Sequence, residues 1–370
     1  MLQIVEQQTA RCRTSRRAGV LVVKELMLLM VCLVSLFSFG TQSLNWMAFE
    51  GVEQDARSRL ARAVSVRYVS RITMNQDGTK LWICRPLHSV VGLNREAGET
   101  DEGLMTDTRR LSRAAHSRIN STSLLVWTGA KAELYPRGIG GDLVESTHPL
   151  NTGGSSDIAA EVSADGAVAL FVLQNGLVCG WFIQKSGAEE FSYSLPTSSL
   201  LLRACLDPAG RRLFVAQEDG TAGIHEVLTG ARQEIKLTLQ AMCTSAVWSA
   251  DGRSILVATK DGWVSLIDAA SGGTHWQRKL TNEHVRQISC ADSIAISRDG
   301  KHVAAASSLS KTFKVWDLNS DQAPHSLAGH EGVIRSLEFG HDNLTLYSGS
   351  LDGSVREWSL ASYSQLQIID

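Results

Sequence analysis

The sequence has no CxxC pair, and its seven cysteines (Cys12, Cys32, Cys84, Cys179, Cys205, Cys243 and Cys290) are odd in number and widely spaced. That argues against a zinc knuckle or a dithiol redox centre and leaves them as small hydrophobes on strand faces. Ten histidines are scattered without HExxH or comparable metal spacing. GxSxG, P-loop and GxGxxG patterns are absent, so hydrolase and nucleotide-binding readings lack a carrier. The formal charge of −2 gives no field to gather nucleic acid or anionic lipid. A basic stripe with interleaved aromatics, which would favour nucleic acid, is missing too. The expectation is a chain without catalytic residues, metal or cofactor that does not bind nucleic acid.

An uninterrupted membrane-length apolar run is also lacking. Residues 1–17 are basic toward their end, with arginines at 11, 13, 16 and 17, and Leu26–Phe39 is apolar apart from two serines. This is the order of an export signal. Leu26–Phe39 alone is short of the roughly 20 residues a span needs. Counting from Ala18 reaches that length but takes in Lys24 and Glu25. Ser38-Phe39-Gly40 offers a small-x-small cleavage site, so cleaved signal and uncleaved anchor both stay open. The expectation is a basic segment plus hydrophobic signal or anchor helix over 1–40, a linker over 41–63, and everything after residue 40 on the non-cytoplasmic side. A cytoplasmic protein with a packed N-terminal helix is the alternative, which free cysteines fit slightly better.

What the sequence does have is a repeat. An outer turn recurs at Asp77-Gly78, Asp165-Gly166, Ala209-Gly210, Asp251-Gly252, Asp299-Gly300 and Asp342-Asn343, the last five about 41 to 48 residues apart. The first gap, 88 residues, is close to two periods and predicts a further turn near Asn120-Ser121, just before the strand-like run Ser123 to Thr128. A second turn follows each outer one by about ten residues, at Asn175-Gly176, Asp219-Gly220, Asp261-Gly262 and Asp352-Gly353. Asp-Gly and Asn-Gly enter such hairpins because they accept positive φ cheaply. Six residues on comes a slot holding Trp181, His225, Ile267 and Trp358. Trp316 takes it after Ser310-Lys311, and Tyr135 after Gly129-Ala130. The first repeat leaves its slot and fourth strand unassigned. A period of about 40–45 residues with four strands each predicts an all-β propeller of seven four-stranded blades over 64–370, preceded by the N-terminal hydrophobic helix.

The last repeat, Gly329 to Leu360, resembles a WD repeat. Gly329-His330 stands at the opening Gly-His, Asp352-Gly353 at the inner turn and Trp358 at the Trp of Trp-Asp, whose Asp is Ser359 here. The resemblance implies that His330, Ser348 or Ser350, Asp352 and Trp358 hydrogen-bond within one blade, in structural roles. A second likeness lies in Leu266–Trp276, LIDAASGGTHW, which resembles the repeat of quinoprotein-type propellers. That family includes quinone-dependent dehydrogenases and non-catalytic envelope scaffolds.

Function is expected as a non-catalytic protein-interaction scaffold, exported or membrane-anchored through its N-terminus. A quinoprotein-type enzyme or cofactor-binding protein and a cytoplasmic scaffold are the alternatives. The connection 94–118, acidic and then basic, reads as an insertion able to dock a partner through Arg109, Arg110 and Arg113. Trp263, beside an inner turn, is the other candidate contact. The glycines at 138, 140, 141, 153 and 154 do not lie between a strand and a helix and form no phosphate cradle.

Overall fold

A β-strand turns successive side chains to opposite faces, and in the strand Val168–Leu173 all six residues are buried. Val168, Leu170 and Val172 enter one apolar cluster, and Ala169, Phe171 and Leu173 another. Such a strand needs cover on both sides, and the architecture supplies it sheet by sheet.

The computed structural model describes Val69, residues 71–74, 78–85, 89–94, 100–101, 116–119, 123–127, 132–136 and 144–145. It also describes 157–369 apart from 185–186, 234–236, 281–290 and 308–309. All belong to one unit, Val66–Asp370. Among them are seven antiparallel four-stranded sheets. The first comprises Arg71–Met74, Lys80–Arg85, Ser89–Asn94 and Thr100–Asp101, and the second His116–Ile119, Ser123–Trp127, Ala132–Pro136 and Val144–Glu145. The third comprises Asp157–Val162, Val168–Leu173, Leu177–Gln184 and Gly187–Ser194, and the fourth Leu201–Leu206, Arg212–Gln217, Thr221–Glu226 and Leu237–Thr238. The fifth comprises Cys243–Trp248, Ser254–Thr259, Trp263–Asp268 and Thr274–Lys279. The sixth comprises Ala291–Ile296, His302–Ser307, Thr312–Asp317 and His325–Ala328, and the seventh Ile334–Phe339, Thr345–Ser350, Val355–Ser359 and Ser364–Ile369.

The first strands of neighbouring sheets lie side by side from the second sheet through to the seventh, and the seventh meets the first. Six of them, those of the first and the third to seventh sheets, line one central cavity. The last strands face outward, and Ser364–Ile369 is exposed over nearly its whole length. Apolar clusters fill the seams. One joins the third and fourth sheets, a second the fourth and fifth, and others the fifth and sixth, sixth and seventh, and seventh and first. Each holds roughly a dozen apolar side chains or fewer, of which the Val, Leu, Ile and Phe are worth about 1.5–3 kcal/mol apiece before chain entropy is counted. The last seam is also pinned by backbone: Val69 N–H donates to Ser350 O at 2.9 Å, and Ile72 N–H to Ser336 Oγ at 3.1 Å.

The turns fall where the sequence repeat puts them. Glycines of both series have positive φ, as has Asn343 at 55°. Slot residues occupy one register: Trp181 pairs with Ala169, His225 with Leu213, Ile267 with Ile255, Trp316 with Val303 and Trp358 with Leu346. In the first sheet the equivalent pair is Leu81 with Leu93, so Leu93 stands in the slot. Its fourth strand is Thr100–Asp101. The expected insertion 94–118 contains described strand residues. Asn94 ends a strand, Thr100–Asp101 completes the first sheet, and His116–Ile119 opens the second. The charges hid these strands because a two-residue edge strand carries no periodicity.

Residues 1–65 lie outside the described residues, and with them the expected signal or anchor helix and linker. Among the described residues no helix is long and apolar enough to cross a membrane.

Two glycine substitutions separate close packing from backbone conformation. A Cβ on Gly180 would sit 2.2 Å from Ala169 O and 2.8 Å from Leu170 Cα, inside a buried sheet. Gly180→Ala is expected to cost about 3 kcal/mol or more, at the upper end of overpacking penalties. Gly300 has open space around a Cβ but φ of 70°. Gly300→Ala is expected to cost about 1–2 kcal/mol, the left-handed penalty alone. Urea unfolding monitored by tryptophan fluorescence measures both.

Candidate functional site

Polar side chains in the seventh sheet form a directed chain. Trp358 Nε1–H can only donate, and it donates to Ser348 Oγ at 2.8 Å. The Ser348 hydroxyl hydrogen is then free for His330 Nε2, 2.7 Å away. With Nε2 accepting, Nδ1 carries the imidazole proton and gives it to Asp352 Oδ2 at 2.9 Å. Asp352 also accepts from Glu331 N–H at 2.8 Å and from the amide and hydroxyl of Ser354 at 2.9 and 2.7 Å. The carboxylate therefore ties the segment entering the first strand to the turn between the second and third strands. The four residues the WD resemblance implies are brought together, with Ser348 rather than Ser350 as the linking hydroxyl. Ser350 Oγ instead accepts from Asp352 N–H at 3.1 Å. Trp358 carries the network to the next sheet through an edge-to-face contact with Phe313, centroids 5.3 Å apart.

Burial holds His330 below its ordinary value, only partly offset by Asp352, so the ring is neutral in the fold. Burial opposes the Asp352 charge, but the bonds from Ser354, His330 and Glu331 outweigh it and hold the carboxyl below the usual carboxylate range. Every ring nitrogen of His330 is engaged and its side chain is fully buried. This is a lock and not a proton-transfer site.

A related lock at the outer turns passed unnoticed in the sequence. Ser163, Ser249 and Ser297 each donate to the aspartate two residues on, Asp165, Asp251 and Asp299, at 2.6, 2.6 and 2.7 Å. The signal was there as a recurring Ser-x-Asp-Gly. The fourth sheet substitutes Asp207, which accepts from Arg211 N–H and pairs with Arg212 Nε at 3.0 Å. Arg212 also reaches the fifth sheet, donating to Gly252 O and lying 4.7 Å over the Trp248 ring.

Other expected residues fall in varied places. Trp263 is half-buried at the start of its strand, with Lys279 Nζ 5.5 Å from its ring centroid. His225 is buried in its slot and bonded to Gly230 O at 3.1 Å, a packing role. Trp248 and Trp316 are buried in the core. Cys179, Cys205 and Cys243 are buried and free, and burial pushes the Cys179 and Cys243 thiols up to about 12. Arg109, Arg110 and Arg113 lie outside the described residues.

The central cavity has a volume of about 520 Å³. Arg71, Arg335, Ser245, Ser293 and Ser336 line it where the first strands begin, Glu161 and Glu338 farther along, and Asp207, Arg298 and His341 at the far end. A one-residue bulge near the start of the first strand recurs in the third to seventh sheets. It shifts which residues of these strands face the cavity.

Radial four-stranded sheets, the seventh bearing a His–Ser–Asp–Trp network, are similar to a WD-repeat propeller, and comparison with known proteins shows the same likeness. Residues 322–359 match the family model of the WD domain, G-beta repeat. A 78-residue segment is 40% identical to the Periodic tryptophan protein 2 homolog of Schizosaccharomyces pombe, covering 21% of this chain and 9% of that protein. Another, of 117 residues, is 29% identical to Protein groucho of Drosophila melanogaster, covering 32% and 15%. The matched segments thus span less than a sixth of these relatives' length. A chain in the crystal structure of a mitotic checkpoint complex superposes with a TM-score of 0.55 at 15% identity, over 67% of this chain and 74% of that one. The likeness to WD-repeat proteins holds in both sequence and fold.

Residues 210–323 also match the Cytochrome D1 heme domain model, in keeping with the quinoprotein-like repeat. A haem seat needs an axial ligand facing the iron. Among the described residues of that segment, His225, His275 and His302 all lie off the cavity. The cavity's His341 has both ring nitrogens toward the Arg298 guanidinium. The described histidines of that segment therefore supply no axial ligand to the cavity.

Ser348→Ala leaves the Trp358 and His330 nitrogens buried without their partner. It is expected to cost about 2–6 kcal/mol, from two unsatisfied groups at about 1–3 each. The network also predicts acid sensitivity. His330 takes up a proton on unfolding below its ordinary 6.5, and Asp352 below its ordinary 3.8. Stability should therefore fall as pH drops through about 6.5 and again below about 4. Urea midpoints against pH check this, and His330→Asn should flatten the upper limb.

Proposed function

We propose that the protein is a non-catalytic interaction scaffold, a closed ring of seven blades that binds protein partners through its faces and loops. The observation that carries this reading is where the reactive side chains go. His330, Asp352 and His225 are spent on holding blades together, while large apolar groups remain exposed at loops, Leu228 at 78%, Leu344 at 62% and Leu200 at 48%. WD-repeat relatives and a propeller found within a checkpoint assembly support the same role. Trp263 and the arginines at 109, 110 and 113 are the proposed contacts. The apolar stretch Leu26–Phe39 after a basic N-terminus is the basis for placing the propeller on the non-cytoplasmic side of a membrane.

A second reading, a cofactor-binding propeller, is favoured by the Cytochrome D1 match. The two diverge in solution. A scaffold purified from its own cells elutes in an assembly larger than the chain, and combined Trp263→Ala, Arg109→Ala, Arg110→Ala and Arg113→Ala substitutions return it to single-chain size with unchanged circular dichroism. A monomer with visible absorption from a bound chromophore would sink the scaffold reading.

The side of the membrane has its own test. Protease added to intact cells, with any outer envelope permeabilised, should remove a C-terminal tag. Protection until lysis would place the propeller in the cytoplasm.

A further inference from the structure

The cavity is uneven in charge along its axis. Where the first strands begin, Arg71 and Arg335 line it from adjacent strands of the first and seventh sheets, which are joined by the Ile72 N–H to Ser336 Oγ bond. Neither guanidinium is paired with a carboxylate among the described residues. Ser245, Ser293 and Ser336 stand at one register position in three consecutive sheets, opposite Ala258, Ala306 and Gly349, each directly after the bulge. All three line the cavity. The Ser336 hydroxyl is committed to Ile72. Ser293 is only 6% exposed, yet its hydroxyl has no hydrogen-bond partner among the described residues. Two guanidiniums on adjacent strands with no carboxylate between them, and an open hydroxyl on the same cavity wall, point to an acceptor that arrives from outside.

We propose that this end of the cavity binds a single oxyanion, a carboxylate or phosphate group, held by Arg71 and Arg335 and by the hydroxyls of Ser293 and Ser245. The planar guanidinium fork matches both groups with paired hydrogen bonds. Glu161 and Glu338 line the cavity farther in. A second negative charge reaching inward meets like charge, so one compact anionic group fits and an extended polyanion does not. The volume of about 520 Å³ is in the range of small-ligand sites. A free anion and an acidic group borne on a partner's chain present the same chemistry here. The site therefore goes beyond the scaffold reading and does not require it.

The test is calorimetric titration of the full chain at an ionic strength of about 0.1 M, where distant surface charges are screened. The probes are inorganic phosphate, tripolyphosphate and an end-blocked peptide carrying one phosphoserine. Saturable binding of phosphate or of the peptide is expected, with tripolyphosphate no tighter than phosphate. Arg71→Gln and Arg335→Gln should each weaken binding about tenfold, as loss of a bidentate charged contact does. Ser293→Ala should weaken it severalfold. Lys311→Gln makes the same charge change as the arginine variants, elsewhere, and should leave affinity unchanged. Peptide far tighter than phosphate assigns the group to a partner, and equal affinities assign it to a free anion. Arg335 is exposed, so its variant keeps the test open if Arg71→Gln fails to fold. No saturable binding, or equal weakening by Lys311→Gln, overturns the proposal.

Discussion

The structure depends on one packing constraint: the second strand of each sheet from the third to the seventh must bury both of its faces. Val168–Leu173 sends alternate side chains into two different clusters, and Thr345–Ser350 is buried at every position. A single four-stranded sheet cannot satisfy such a strand, because each of its faces would meet water. Neighbouring sheets supply the cover, and the apolar clusters accordingly lie in the seams. This explains the tolerance of the slot, which accepts Trp, His or Ile. The seam needs buried volume at that position, and the loss of one tryptophan is spread over a dozen neighbours.

Hydrogen bonds do the remaining work of fixing each sheet's ends. The directed chain from Trp358 through Ser348 and His330 to Asp352 binds the entry segment of the seventh sheet to its inner turn. The third to sixth sheets use cheaper local versions, a serine or threonine beside a turn aspartate, as at Ser249-Asp251 and Thr259-Asp261. Groups that elsewhere do chemistry are consumed in this way. On the cavity wall Arg71 and Arg335 are not so consumed.

The turns were legible because Asp-Gly and Asn-Gly are chosen for a local reason, positive φ, which needs no knowledge of the rest of the chain. The lock of the last sheet was legible because all its residue types survive together. The first sheet was not, since Leu93 carries no signature in the slot and Thr100–Asp101 is two residues long. The Ser-x-Asp-Gly lock is a local hydrogen-bond pattern, readable from the sequence in the same way. The cavity face was beyond sequence reasoning. A one-residue bulge near the start of the first strands reverses inside and outside, so alternation alone assigns the wrong residues to the wall.

By itself the sequence determined the strand period, the turn positions and the four-residue lock, because each follows from interactions within about forty residues of chain. Only the tertiary structure decided which sheets share a seam, that Leu93 stands in a slot, and that Arg71 lies beside Arg335. Those two arginines are 264 positions apart. They meet because the seventh sheet's exposed face needs the first sheet to cover it, and that requirement belongs to the assembled ring of faces and to no single repeat.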